Sequence, residues 1–350
     1  MPFLEIGKHR IGPGEPVYVV AEVSANHHQD FEQAVRIIEA AKEAGADAVK
    51  LQTYTAETIT LRSDRECFRI GGGTPWDGST LHDLYDRAHT PWNWQPRLKQ
   101  VAGEFGLDLF SSPFDPSAVD FLEAMNVPAY KVASCELVDL PLVRKVAGTG
   151  KPLIMSTGMA TFEEICEAVD TAEAAGARQI ALLKCTSAYP ALPGEMNLKT
   201  IPELEHRFAL PCGLSDHTRG IAVPVAAVAL GARIVEKHLT LSRALQGPDS
   251  EFSLEPQEFR EMVQAVRVAE KALGAVFFGP TDREQNGLNF RRSLFVVRDV
   301  EQGEIFSHGN VRSIRPAYGL HTRYLHEVVG RRAAQRIGRG TPLSWELIAR

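Results

Sequence analysis

The sequence predicts an α/β protein, a (β/α)8 TIM barrel followed by a small β-rich domain. Three observations carry that expectation. Short apolar runs alternate with amphipathic stretches through most of the 350 residues. Ionisable and hydroxyl side chains recur where those runs end. Near residue 290 the texture changes to short strand-like runs among glycine and proline turns.

The expected barrel strands are Val17–Ala21, Ala48–Thr53, Asp108–Ser111, Ala129–Ala133, Pro152–Ser156, Ile180–Cys185, Cys212–Leu214 and Arg233–Lys237. Between them apolar residues recur every three or four positions, as in Asp30–Ala44 and Thr161–Ala175, which marks helices. Asp30 and Thr161 are good N-caps, and Gly45 and Gly176 can take the left-handed conformation that ends a helix. Eight strand–helix pairs over about 270 residues have the size of one barrel. Residues 55–90, with Gly71-Gly72-Gly73, Pro75 and Trp76, are too long for a simple connection and predict an excursion over one end of it. The triple glycine does not join a strand to a helix, so it reads as a flexible loop rather than a phosphate cradle. The barrel domain is expected over 1–278, ending after a helix at Pro256–Leu273, with a linker at 279–290. The small domain is expected over 291–350, with strands at Ser293–Val297, Ile305–Phe306 and Leu343–Ile348.

Composition narrows the class. No run approaches the roughly 18 apolar residues of a membrane span, and the opening MPFLEIGKHR lacks a leader's apolar stretch. A cytoplasmic protein with no membrane partner is expected. Five scattered cysteines without a CxxC pair argue against a disulfide framework or a structural zinc site. A formal charge of −6 gives no support to nucleic-acid binding. The charge is uneven: residues 1–290 carry 27 Lys+Arg against 39 Asp+Glu, whereas 291–350 carry 11 Arg, no Lys and 5 acids. The basic piece can serve an anionic ligand or dock on an acidic body.

In a barrel of this kind the active site lies at the C-terminal strand ends. There the sequence places Glu22, Asn26 and His27; Lys50 and Gln52; Ser111 and Ser112; Lys131, Ser134 and Glu136; Ser156 and Thr157; Lys184, Thr186, Ser187 and Tyr189; Ser215, Asp216 and His217; and Glu236, Lys237 and His238. One such residue is ordinary rim polarity, but recurrence at corresponding positions points to a site. His217 and His238 end neighbouring strands and can converge on one divalent ion, although two hydrogen-bonded histidines are the simpler alternative. Lys50 and Lys131, beside Ser134 and Ser156, offer the cationic and hydroxyl donors that a phosphate or carboxylate needs. Either lysine can instead form a Schiff base, a route less needed where a metal polarises the carbonyl. Residue chemistry alone therefore reaches a metal-assisted barrel enzyme acting on an anionic, phosphorylated substrate.

The strings AEVSANH (21–27), KLQTY (50–54), SSPFD (111–115), YKVAS (130–134), STGMA (156–160), KCTSAYP (184–190), GLSDHT (213–218), EKHLTL (236–241) and GPDS (247–250) resemble the sialic acid synthase family. RRSLFVVRDV (291–300) and NVRSIRPAYGL (310–320) resemble that family's C-terminal antifreeze-like (SAF) domain, so the resemblance spans the chain. It implies condensation of phosphoenolpyruvate with an amino-sugar aldehyde. It also implies a divalent metal, Mn or Mg with Co an alternative, on His217 and His238. Lys50, Gln52, Ser111, Lys131, Ser134, Ser156 and Ser215 match phosphoenolpyruvate positions. Glu22 matches a carboxylate near the reacting carbons, and Ser187, Tyr189 and Asp249 match sugar-side positions. Arg315 matches an arginine supplied across a domain-swapped homodimer. GPDSEFSLEP, HTPWNW, CTSAYP and the pairing of VRSIRP with YGLH resemble the pseudaminic branch, whose acceptor is a 2,4-diacetamido-2,4,6-trideoxy-altrose. N-acetylneuraminate or legionaminate synthesis by the same chemistry, and a non-catalytic sugar-binding protein, are the alternatives. YGLHT, where the branch pattern is YGLHP, is a small departure at a turn.

Overall fold

A computed structural model describes residues 3–74 and 76–350. It divides into two units, Met1–Gly274 and Ala275–Arg350.

The first unit opens with an antiparallel hairpin, β1 (Leu4–Ile6) and β2 (His9–Ile11), that the sequence pattern did not suggest. Eight strands follow: β3 (Tyr18–Glu22), β4 (Ala48–Thr53), β5 (Asp108–Pro113), β6 (Tyr130–Val132), β7 (Leu153–Ser156), β8 (Ile180–Cys185), β9 (Cys212–Asp216) and β10 (Ile234–His238). They form a closed parallel barrel in chain order, with β10 pairing back onto β3. The helices begin and end as the capping chemistry requires. The Asp30 carboxylate accepts the N–H groups of Glu32 and Gln33 ahead of the helix Phe31–Ala44, and Gly45 ends it at φ 91°. Thr161 and Glu164 make a reciprocal capping box at the start of Phe162–Ala174.

Strand alternation then divides the core. Outward-facing side chains pack under the helices in two apolar clusters. Tyr18, Val20, Ala48, Phe110, Ala129, Ile154, Ala181, Leu183 and Ile234 form an inner layer with Leu4, Ile6 and Ile11 of the hairpin. The hairpin's buried face thus packs onto the inner layer of the barrel. His9 and Tyr18 fix it there through Asp108, at 2.8 and 2.9 Å.

The excursion at 55–90 has structure of its own, with helices Ala56–Ile59 and Leu81–Ala88 and a bridge between Arg69 and Thr80. Pro75 lies outside the described residues. The glycine run is a turn: Gly72 and Gly73 have φ of 106° and 85°, and the Asp77 carboxylate accepts the N–H groups of Gly73 and Thr74. An acid already occupies these donors, so they hold no phosphate.

In the second unit β11 (Ser293–Val296) and β12 (Val311–Ile314) pair antiparallel. They cover a core that includes Leu294, Phe306, Val311, Leu343 and Ile348. Two strand expectations are corrected. Ile305 makes only an isolated bridge to Arg332, and the stretch 343–348 contains a 3-10 turn, Trp345–Leu347. Apolar residues there report burial in a small core, not ladder pairing. Part of the expected linker is also helical, in the 3-10 segment Gln285–Phe290.

Candidate active site

The period-two alternation that builds the apolar inner layer also builds the site. Two residues further along the strands, the inward-facing positions change character. Val20 gives way to Glu22, Ala48 to Lys50, Phe110 to Ser112, Ala129 to Lys131, Ile154 to Ser156, Leu183 to Cys185 and Ile234 to Glu236, with His238 beyond. These side chains sit directly above a dry floor. Glu22, Lys50, Ser112, Lys131, Ser156, Ser215 and Glu236 are all buried.

Their charges are interlocked. Lys50 Nζ lies 2.6 Å from Glu22 and 3.5 Å from Glu236, and donates to Ser112 Oγ at 3.2 Å. Lys131 Nζ is 3.9 Å from Glu236, which also accepts from Ser215 Oγ at 3.2 Å. Gln52 donates to Glu22 at 3.2 Å and to Ser24 at 2.9 Å. Burial pushes the Glu22 carboxyl up to about 7, with Lys50 pulling against that and Glu236 adding to it. Burial also raises Glu136, to about 7. Lys131 is lowered, because desolvation outweighs the attraction of Glu236. Lys50 is raised, because Glu22 and Glu236 together overcome its desolvation.

Lys50 is therefore the cation common to two buried acids. Lys50→Met is expected to destabilise the fold by about 3–5 kcal/mol, since it leaves those acids without their nearest partner. The loss has a pH signature. A carboxyl raised above its unfolded value contributes stability at low pH that disappears as pH rises through its folded pKa. Urea unfolding of the variant should accordingly improve from about pH 8 to about pH 6 more than wild type does.

His217 and His238 are buried on adjacent strand ends, with ring centroids 5.3 Å apart. His217 Nδ1 pairs with the Thr186 carbonyl at 3.0 Å, which leaves Nε2 with a lone pair for an electrophile. His238 Nδ1 is buried without a hydrogen-bond partner, 4.0 Å from Asp249. Burial, then the charges of His217, Lys50, Lys237 and Lys131, hold His238 well below its ordinary value and neutral. Among the described residues no group of three or more His, Cys, Asp or Glu is placed to hold a metal ion. His238, neutral with an unpartnered nitrogen, and His217, its Nδ1 committed to the Thr186 carbonyl, fit a metal whose remaining ligands are water and substrate.

Other expected residues distribute as their strand parity requires. Ser134, Tyr189 and Asp249 line the same cavity of about 360 Å3 as Lys50, Lys131 and Ser156. Ser134 Oγ accepts the Gly158 N–H at 3.2 Å, and Ser187 Oγ is 3.9 Å from the Cys185 sulfur. Asp249 is bonded by Ser24 and by the Ala25 N–H. Ser111 is corrected: it faces the helix layer and pairs with Thr53 Oγ1 at 2.6 Å, while Ser112 faces Lys50. Asp216 and Lys237 likewise point outward, as a fully buried ion pair. Arg315 lies in the second unit, exposed, just after β12. Glu136 and Glu236, named from the sequence as strand-end residues without a role, also line the cavity, as does Cys185, to which the sequence alone gave no part in the site. Ser156 Oγ, Glu136 Oε2, Glu236 Oε2 and His238 Nδ1 are buried polar atoms without protein partners, hydrogen-bonding capacity that a polar ligand would satisfy.

Known proteins share this architecture. The NeuB family matches residues 37–277 and the SAF domain matches residues 291–349. The chain is 45% identical over 330 residues to the pseudaminic acid synthase of Campylobacter jejuni, covering 93% of this chain and 95% of that one. It is 34% identical to the N,N'-diacetyllegionaminic acid synthase of Legionella pneumophila, covering 96% of each. Among solved structures, the N-acetylneuraminic acid synthetase of Leptospira borgpetersenii in complex with citrate aligns with a TM-score of 0.73 at 32% identity, over 83% of this chain and 96% of that one. The chain belongs to the NeuB family and carries its barrel together with a SAF domain.

Proposed function

We propose that this protein condenses phosphoenolpyruvate with 2,4-diacetamido-2,4,6-trideoxy-L-altrose, giving pseudaminic acid and phosphate. The observation that carries the reading is the convergence, in one buried cavity, of two lysines, unpartnered hydroxyl and carboxylate groups and two imidazoles. Likeness to the Campylobacter enzyme supports the choice of sugar.

Lys50, Lys131, Ser134, Ser156 and Ser215 hold the phosphate and carboxylate of phosphoenolpyruvate through charge-assisted hydrogen bonds. Gln52, itself in the cavity lining, holds Glu22 by a hydrogen bond on one side while Lys50 pairs with it. C3 of phosphoenolpyruvate forms a bond to the aldehyde carbon, and the aldehyde oxygen becomes a hydroxyl. The cationic C2 takes up water, and the resulting tetrahedral carbon releases phosphate as its C–O bond breaks. Glu22, with a carboxyl near neutrality and fully buried, stabilises the cationic centre or carries a proton of the attacking water. His217 and His238 would hold Mn, Mg or Co, which supplies Lewis-acid polarisation of the aldehyde oxygen when bound. Lys50, raised and ion-paired, is a poor Schiff-base nucleophile, so a covalent route would fall to Lys131 and would show on borohydride trapping.

The two units are read as parts of a domain-swapped homodimer in which Arg315 serves the partner's site. The protein is read as cytoplasmic; no helix among the described residues is long and apolar enough to cross a membrane.

The test is phosphate release with three acceptors. The altrose derivative should turn over at least about tenfold faster than N-acetylmannosamine or the legionaminic precursor. N-acetylmannosamine reacting as fast would remove the pseudaminic assignment and leave synthase chemistry standing. Absence of phosphate release with all three would favour a sugar-binding protein.

A further inference from the structure

The excursion at 55–90 supplies one wall of the cavity, and that wall differs in kind from the floor. Ile70, Trp76, Leu81, Leu84 and Ala88 of the excursion line it, with Tyr85 adding a hydroxyl, whereas the barrel contributes lysines and serines. Thr74, also in the lining, has its hydroxyl committed to Asp77 at 2.7 Å. Trp76 is the keystone. Its indole N–H donates to the Pro248 carbonyl at 2.9 Å, tying the excursion to the segment that carries Asp249. Its ring lies 5.5 Å from Tyr189, whose own ring lies 4.5 Å from His217. An aromatic series therefore runs from the histidine end of the cavity to the excursion.

This series sets a direction for the acceptor. With its aldehyde at the histidine end, the sugar chain extends along Tyr189, and its far carbons meet Trp76 and the leucines. We propose that this wall is the acceptor-selecting element of the enzyme and that Trp76 reads the methyl group at C6. The inference rests on the condensation proposed above. A methyl against indole and leucine loses only water. A C6 hydroxyl at the same place gives up hydrogen bonds that Ile70, Leu81 and Leu84 do not replace.

Two acceptors differing at one atom test it: 2,4-diacetamido-2,4,6-trideoxy-altrose and its C6-hydroxylated counterpart. In wild type kcat/KM should favour the 6-deoxy sugar by about 10- to 200-fold, the worth of one small group in an apolar pocket. Trp76→Ala should shrink that ratio about tenfold or more and leave KM for phosphoenolpyruvate within about twofold, because the anion's donors lie on the floor. Trp76→Phe keeps an apolar ring without the indole donor and should retain most of the ratio. A ratio unchanged in Trp76→Ala, with activity falling equally on both sugars, overturns the proposal while the acceptor reading survives. A wild-type enzyme that prefers the hydroxylated sugar overturns the acceptor reading and this inference together.

Discussion

His217→Ala and His238→Ala should each lower the rate of phosphate release by about a thousandfold, the scale of several kcal/mol of lost charge stabilisation at the acceptor carbonyl. Chelation by EDTA should reproduce the loss in wild type, and Mn, Co or Mg should reverse it there but not in the variants. The geometry supports so large an effect. Both rings are buried against Phe252, at 5.9 and 4.9 Å between centroids, so neither can be replaced from solvent. The His217 ring is held by the Thr186 carbonyl, and His238 stays neutral because burial first, and then the nearby positive charges, oppose its protonation. The fold should persist, since both lie at strand ends above the apolar layer and contribute nothing to it. Near-native circular dichroism and an unchanged urea midpoint would separate lost chemistry from lost structure. Full activity in metal-free protein would falsify the assignment of these histidines.

The barrel was legible because its signals are local: strand runs, caps at Asp30 and Thr161, and a polar residue wherever a run stopped. The site was legible as a set of strand ends. What strand ends alone leave open is which of two adjacent polar residues faces inward, and parity settles that. Lys50 and Gln52 share a face, whereas Thr53 does not, so Ser111 follows Thr53 to the helix layer and Ser112 meets Lys50. The same count sets Glu236 and His238 inward and Lys237 outward to Asp216. Applied to the sequence, it would have picked out Glu236 as the acid between two lysines. The hairpin at Leu4–Ile11 and the excursion's wall were less legible for a different reason. Their residues are ordered by contacts with distant segments, such as Trp76 with Pro248, and no periodicity records those.

The last expected result concerns Arg315, proposed to act in the partner's barrel. Arg315→Ala has an intact barrel and a defective arm, and His217→Ala has the reverse. Each homodimer should be nearly inactive, because every one of its sites contains a defect whichever subunit supplies the arginine. A guanidinium can bridge a carboxylate or an acetamido oxygen in a planar, two-point contact that lysine does not reproduce, so Arg315→Lys should recover little. When the two variants are co-expressed, random pairing makes about half the molecules mixed dimers in a closed two-fold assembly. In a mixed dimer the His217→Ala subunit lends its intact arm to the intact barrel of the other, which restores one site of two. Recovery should therefore reach about a quarter of wild-type activity. An arginine acting within its own subunit allows no such repair, because no pairing gives a good barrel and a good arm to the same chain. Activity no greater than the sum of the separate variants would exclude the shared site. A quarter recovered at high protein concentration and lost on dilution, in step with dimer dissociation, would locate the effect at the subunit interface.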